Sequence, residues 1–290
     1  MQALRDIARR LLDEKAVETV VGYEQGPRGV RPAFISSSAD ADRLIFDSRC
    51  VQNLAVYLNP RRAMNKLRGK TAVVVKGCDA RAVASLLRET QIQRDNVVLI
   101  GVRCGGVLRN AGVDTSLSAD NVADKCSSCR CREPKLVDYI VGELPPAPPS
   151  SDRYNVAVAE LDAMSPAERW AFWQRELSRC IRCYACRAVC PTCYCETCIA
   201  TKSQPQWIDS SPTLQANLAW QFTRMMHQAG RCADCGECER ACPVSIPLGL
   251  LTRKTAQIVE RRFQHRSTDD PSVPSPIGAY RTEDQQEFIL

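Results

Sequence analysis

Histidine is nearly missing from this chain: His227 and His265 are the two in 290 residues. Acid–base catalysis and hydrolytic metal sites lean on imidazole, so both classes begin with few candidates. Each histidine reads as a surface residue of a helix. Long apolar runs are missing as well, none approaching the ~18 residues of a membrane span. The opening MQALRDIARRLLDEKAV has no signal-peptide core, so the expected setting is cytoplasmic, without direct membrane insertion. No block of Lys and Arg carries interleaved aromatics; the formal charge of +6 is read as a solvated basic face, and no nucleic-acid partner is expected. Gly-x-Gly-x-x-Gly, Walker-type loops and nucleophile elbows do not occur, which argues against nicotinamide binding.

Cysteine is the opposite case, with 17. In a chain without export, Cys-x2-Cys runs favour metal ligation over disulfides. Cys180, Cys183, Cys186 and Cys190 stand in CIRCYACRAVCP, and the spacing returns at Cys232, Cys235, Cys238 and Cys242 in CADCGECERACP. Each copy is Cys-x2-Cys-x2-Cys-x3-Cys-Pro, the run that encloses a cubane cluster. Three thiolates on one tight turn reach three irons of a single cube. The fourth, one helical turn on, points away and completes the other cube. Pro191 and Pro243 lack an N–H and suit a chain break just past the last ligand. Two [4Fe–4S] clusters are the reading, set against a zinc ribbon or plain core cysteines.

Apolar content of 44% and charged content of 25% fit a globular protein long enough for two domains. Residues 3–15 carry Leu4, Ile7, Ala8, Leu11 and Leu12 on one helical stripe. Val17 to Val21 and Ala33 to Ile35 read as two strands of a hairpin or near neighbours, with a Gly/Pro turn over 22–32 between them. A second helix is expected after Asp47 or Ser48, with Val51, Leu54, Ala55 and Leu58 inward, ending by Asn59 because Pro60 follows. TAVVV (71–75), a turn at 76–79, a helix over 80–90 and VVLIGV (97–102) form a βαβ unit of a parallel sheet. Cys78 and Cys104 each follow a strand, so both loops leave the same sheet edge, where open α/β sheets place their sites.

Cys126, Cys129 and Cys131 follow in KCSSCRC. With Cys78 and Cys104 they offer five thiols for a third [4Fe–4S] cluster that needs four. Cys126 and Cys129 lead, and the choice among the others stays open; the competing reading makes Cys78 and Cys104 small buried apolar residues. CPTCYCETC adds Cys193, Cys195 and Cys198, which are spare, replace one ligand, or serve the front cluster. The Cys-x3-Cys-x2-Cys of Cys186, Cys190 and Cys193 matches radical S-adenosylmethionine spacing only by overlap. Tyr184 and Tyr194, inside the runs, are expected to shield sulfur from water.

The Pro/Ser-rich run ELPPAPPSSD sets the boundary. The expected domains are an α/β domain over 1–143, a linker over 144–153, a helical ferredoxin domain over 154–265, and a Ser/Pro-rich tail over 266–290 that wraps a partner or stays mobile. Ser165, Pro166 and Glu168 make a helix start with a capping box. Another helix follows Pro212 with Leu214, Leu218, Phe222, Met225 and Ala229 as its core stripe, and a further one follows Pro247.

The stretches GYEQG at Gly22, KGCDARAVASLL at Lys76, LIGVRCGGV at Leu99 and Cys126-x2-Cys129 through VDYIVGE at Val137 resemble the beta-subunit family of deazaflavin-dependent hydrogenases and dehydrogenases. That resemblance implies a cluster and, in many members, a flavin in this domain. The back half, with GRCADCGECERACPVSIPLGLL at Gly230, resembles the helical di-cluster ferredoxin modules of heterodisulfide-reductase and Rnf-type complexes. It implies one cube on Cys180, Cys183, Cys186 and Cys242, and a second on Cys232, Cys235, Cys238 and Cys190.

The expected role is an electron-transfer subunit, itself non-catalytic, of a multi-subunit redox complex. It would relay electrons between a flavin- or molybdenum/tungsten-containing subunit and another redox partner of the flavoprotein, formate dehydrogenase, hydrogenase or heterodisulfide-reductase kind. The alternative is a flavin-dependent oxidoreductase subunit, holding FAD or FMN near 22–31 and the Cys78 loop and acting on a diffusible redox cofactor. The missing dinucleotide fingerprint counts against it.

Overall fold

The structure is a computed structural model that describes residues 1–59, 67, 69–110, 115–148 and 152–283. Pro60, residues 149–151 of the linker and the end of the tail (284–290) lie outside the described residues. The front half is built on a five-stranded sheet of order β2-β1-β3-β4-β5. Its strands are β1 (Thr19–Gly26), β2 (Gly29–Ile35), β3 (Thr71–Val75), β4 (Val97–Val102) and β5 (Tyr139–Val141). β1 and β2 pair antiparallel at one edge, and the other neighbours are parallel.

β3 and β4 are buried along their whole length, as continuous apolar strands covered on both faces must be. α1 (Gln2–Asp13) buries Leu4, Ala8 and Leu11. α2 (Gly77–Arg88) is the crossover between β3 and β4 and is buried along most of its length. The parallel register runs from Thr71 beside Val97 to Val75 beside Gly101. The two strands therefore end level, and the loops bearing Cys78 and Cys104 start side by side.

Three local expectations change. The stretch 22–32 is mainly strand, since β1 and β2 pair from Val20–Ile35 down to Gly26–Gly29. The helix expected after Ser48 is one 3-10 turn, Leu54–Leu58, begun by Asn53, whose side chain accepts from Ala55 N. The turn expected at 76–79 is already helical from Gly77, because Asp79 Oδ2 accepts from Lys76 N at 2.8 Å and fixes the first turn of α2.

Behind the sheet come α3 (Asp124–Ser127), α4 (Arg153–Ala163), α5 (Pro166–Ser178), α6 (Ala185–Ala188), α7 (Leu214–Gln228), α8 (Glu237–Arg240) and α9 (Leu248–Phe263). Ser165 and Glu168 close the capping box of α5. Trp173, Leu177, Trp220, Met225, Leu248 and Leu251 form the apolar cluster these helices share. His265 does not lie on the surface: it is 6% exposed and bonds the Gly230 carbonyl at 2.9 Å. The tail folds back too, with Arg88 Nη2 donating to Asp270 O and Asp269 Oδ2 accepting from Lys135 N.

Candidate metal centres

One cavity at the carboxyl edge of the sheet is lined by Cys78, Cys104, Cys126, Cys129 and Cys131, with Lys76, Arg81, Lys125 and Asp234 around them. Cys78 lies in the first turn of α2, where unpaired N–H groups favour negative charge. Cys104 Sγ accepts from Gly106 N, and Cys126 Sγ from Val107 N, both at 3.4 Å. Cys131 comes in over Gly77: a Cβ there would stand 1.7 Å from the Cys131 carbonyl oxygen.

Burial pushes the Cys126 thiol up to about 11, against the pull of Lys125. It raises Cys78 and Cys104 as well. Cys129 moves the other way, down to about 6, because the Cys131 thiol donates to it. Thiolates in so enclosed a place need compensating cations. Lys76 and Arg81 are buried beside them, and Arg81 Nε has no hydrogen-bond partner among the described residues. A buried guanidinium with a spare donor, facing five thiols, suits an anionic cluster.

The two back-half runs fold alike. Arg182 and Tyr184 in the first, and Asp234 and Gly236 in the second, sit at matching places with φ of +59°, +57°, +57° and +65°. Three of the four are not glycine, and left-handed backbone costs such residues about 1–3 kcal/mol each unless the surroundings enforce it. Each left-handed pair leads into a single helical turn, α6 or α8, that carries the third cysteine. Cys232, Cys235, Cys238 and Cys190 line one cavity, three from one run and the last of the other. Cys180, Cys186 and Cys242 pack into a common apolar cluster together with Cys198 and Cys238. Cys183 and Cys195 are exposed.

Cys193 stands beside Cys190, and one side chain serves both: Gln228 Nε2 donates to Cys193 Sγ at 3.4 Å, while Cys190 Sγ donates to Gln228 Oε1 at 3.8 Å. Cys50 is set apart, buried in the core of the sheet domain with its Sγ accepting from Asp47 N at 3.3 Å.

A set of residues missed in the sequence lies on α7. Asn217, Gln221, Arg224 and Gln228 are all buried and follow one another at helical spacing, about 100° round the helix from the expected core stripe, of which Met225 is buried and Leu214, Leu218, Phe222 and Ala229 are half-buried. Asn217 Nδ2 donates to Cys180 O at 2.9 Å and Gln221 Nε2 reaches Cys180 Sγ at 4.0 Å. Arg224 Nη2 donates to Cys186 O at 3.3 Å, and its charge faces the thiols of Cys238, Cys190, Cys193 and Cys186. Its Nε and Nη1 have no partner among the described residues. Polar residues recurring at that period in an otherwise apolar helix were the available signal.

Tyr184 packs edge-on to Trp220 within the apolar cluster that holds Cys180, Cys186 and Cys242, while Tyr194 donates to Glu89 Oε2 at 2.7 Å. Among the described residues no three His, Cys, Asp or Glu side chains close on a single metal ion.

The family described as "4Fe-4S dicluster domain" matches residues 176–246. The chain is thus an iron–sulfur protein that carries [4Fe–4S] clusters, and its role is electron transfer as a subunit of an oxidoreductase complex. It is similar to the F420-dependent formate dehydrogenase subunit beta of Methanocaldococcus jannaschii, 24% identical with 94% of this chain and 93% of that protein aligned. It is also similar to the F420-dependent formate dehydrogenase 1 subunit beta of Methanococcus maripaludis, 22% identical over 95% of this chain and 92% of the relative. The first alignment spans 359 positions against 290 residues here, so that relative contains segments this chain lacks. No helix among the described residues is long and apolar enough to cross a membrane.

Proposed function

We propose that this chain wires three [4Fe–4S] clusters into a relay between a formate dehydrogenase-like catalytic subunit and a second redox partner. The observation that carries this reading is the cavity where Cys78, Cys104, Cys126, Cys129 and Cys131 converge, next to the one lined by Cys190, Cys232, Cys235 and Cys238. α2 stands between them: Arg81 faces the first cavity and Ala82 the second. The front cluster draws four ligands from its five thiols. The second is held by Cys232, Cys235, Cys238 and Cys190, and the outermost by Cys180, Cys183, Cys186 and Cys242. Each cluster supplies one-electron carriage when bound. The residues around it exclude water, hold the thiolates apart and offset their charge. The division into a sheet domain over 1–143 and a helical ferredoxin domain over 154–265 belongs to the same proposal.

The flavin alternative gains no support at Gly22 and Tyr23: a Cβ on Gly22 would stand 2.5 Å from Leu44 Cδ2, and Tyr23 is fully buried.

The test is electron paramagnetic resonance of the anaerobic, reduced protein, with Cys→Ser changes made one site at a time. Cys126→Ser, Cys235→Ser and Cys183→Ser should each remove or convert one of three spin systems and leave the others. Two spin systems in the unaltered protein, or stoichiometric flavin released from it, would refute the proposal.

A further inference from the structure

One cation reaches from the front cavity to residues that line the Cys190/Cys232/Cys235/Cys238 cavity. Lys125 precedes Cys126 in sequence and lines the front cavity. Its Nζ donates to Val51 O at 3.2 Å in the front half and crosses to the back half to donate to Cys235 O at 2.7 Å, with Glu237 Oε1 at 3.5 Å. The aliphatic stem lies against Gly236, where a Cβ would come within 3.1 Å of Lys125 Cδ. Gly236 at φ +65° is therefore the position over which the lysine passes between the two halves.

We infer that Lys125 is a positioning residue for electron transfer: its ammonium is the common electrostatic partner of the front cluster and of the Cys235 cluster, and sets the potential of both. The inference rests on the three-cluster reading above. The physical reason is simple. Reduction adds negative charge to a cluster, and a fixed cation nearby stabilises the reduced form more than the oxidised one. Glu237 does not cancel the effect, because it is also held by Arg240 Nη2 at 2.6 Å. Its Nζ is held by the Cys235 and Val51 carbonyls and faces the Glu237 carboxylate, partners that suit an ammonium. Among the described residues Lys125 makes no hydrogen bond to the run of Cys180 and Cys183. The assignment therefore predicts a shift confined to two of three centres.

Potentiometric titration of the anaerobic holoprotein, followed by electron paramagnetic resonance, tests this with Lys125→Gln and Lys125→Arg beside the unaltered chain. With iron content kept, Lys125→Gln should disfavour reduction of the front and Cys235 clusters at least tenfold, a fall of about 59 mV for a one-electron couple. The third midpoint should stay in place, and Lys125→Arg should restore both shifted values. If Lys125→Gln loses iron and Lys125→Arg regains it, the charge is again what matters, and the inference stands. Unmoved midpoints, an equal fall at all three centres, or iron loss that arginine does not repair would overturn it. An unaltered protein with only about eight irons would instead overturn the three-cluster reading, before any variant is made.

Discussion

At Gly77 a side chain would collide with backbone rather than with a movable tip, since the clash is with the Cys131 carbonyl. Gly77→Ala should push the Cys131 loop off the end of β3 and cost the front cluster. Iron analysis should show a loss of about four irons, with both back-half signals kept. Unchanged iron would mean that the loop has another resting place. Glu24 shows the same dependence on local surroundings through charge. Burial works to raise its carboxyl, but Arg43 and Arg31 outweigh that and hold it below its ordinary value. A depressed carboxyl stabilises the fold above its unfolded value and loses that contribution as pH falls through its folded one. Glu24→Gln should therefore lower the melting midpoint near neutrality. The gap from the unaltered protein should close as the medium is acidified through the carboxylate range. A gap that widened in acid would contradict the assignment.

The helix α7 brings the two back-half sites under one element. Its apolar face packs into the helical core, and its polar stripe runs from Cys180 to Cys193. Arg224 is the charged member of that stripe and faces thiols of both runs. Removing its charge with Arg224→Met should make reduction of both back-half clusters about tenfold harder in a potentiometric titration. The front cluster should hold its midpoint, so the patterns of Arg224 and Lys125 overlap only at the Cys235 cluster. A shift at the front cluster instead would mean that Arg224 acts by deforming the fold. The loops feeding α7 obey the same economy of parts. One backbone path, with two left-handed residues and a single helical turn, is used twice to present three cysteines and carry the fourth away.

Across the whole molecule the halves are joined by charge and ring contacts close to the sulfur sites. Arg231 pairs with Glu89 at the end of α2 and stacks on Tyr194, and Arg253 binds both Asp234 and Ser128. Parts of this were legible in the amino-acid order. Continuous apolar runs at Thr71–Val75 and Val97–Val102 can only be buried strands, and the duplicated cysteine spacing has few other chemical uses. The basic residues were not legible in this way. Lys76, Arg81, Lys125 and Arg224 look like solvated charges in sequence, yet Lys76, Arg81 and Arg224 are buried and the Lys125 side chain is 10% exposed. Asp79, Tyr23 and Glu237 hold the two lysines, while thiols from distant segments face the two arginines. The inward turn of His265 and of the tail depends on a surface around Gly230 that local periodicity does not describe. Counting iron and acid-labile sulfide in anaerobically purified protein tests the central claim most directly. Three cubane sites predict about twelve of each per chain; zinc in their place, or about eight irons or fewer, would contradict it.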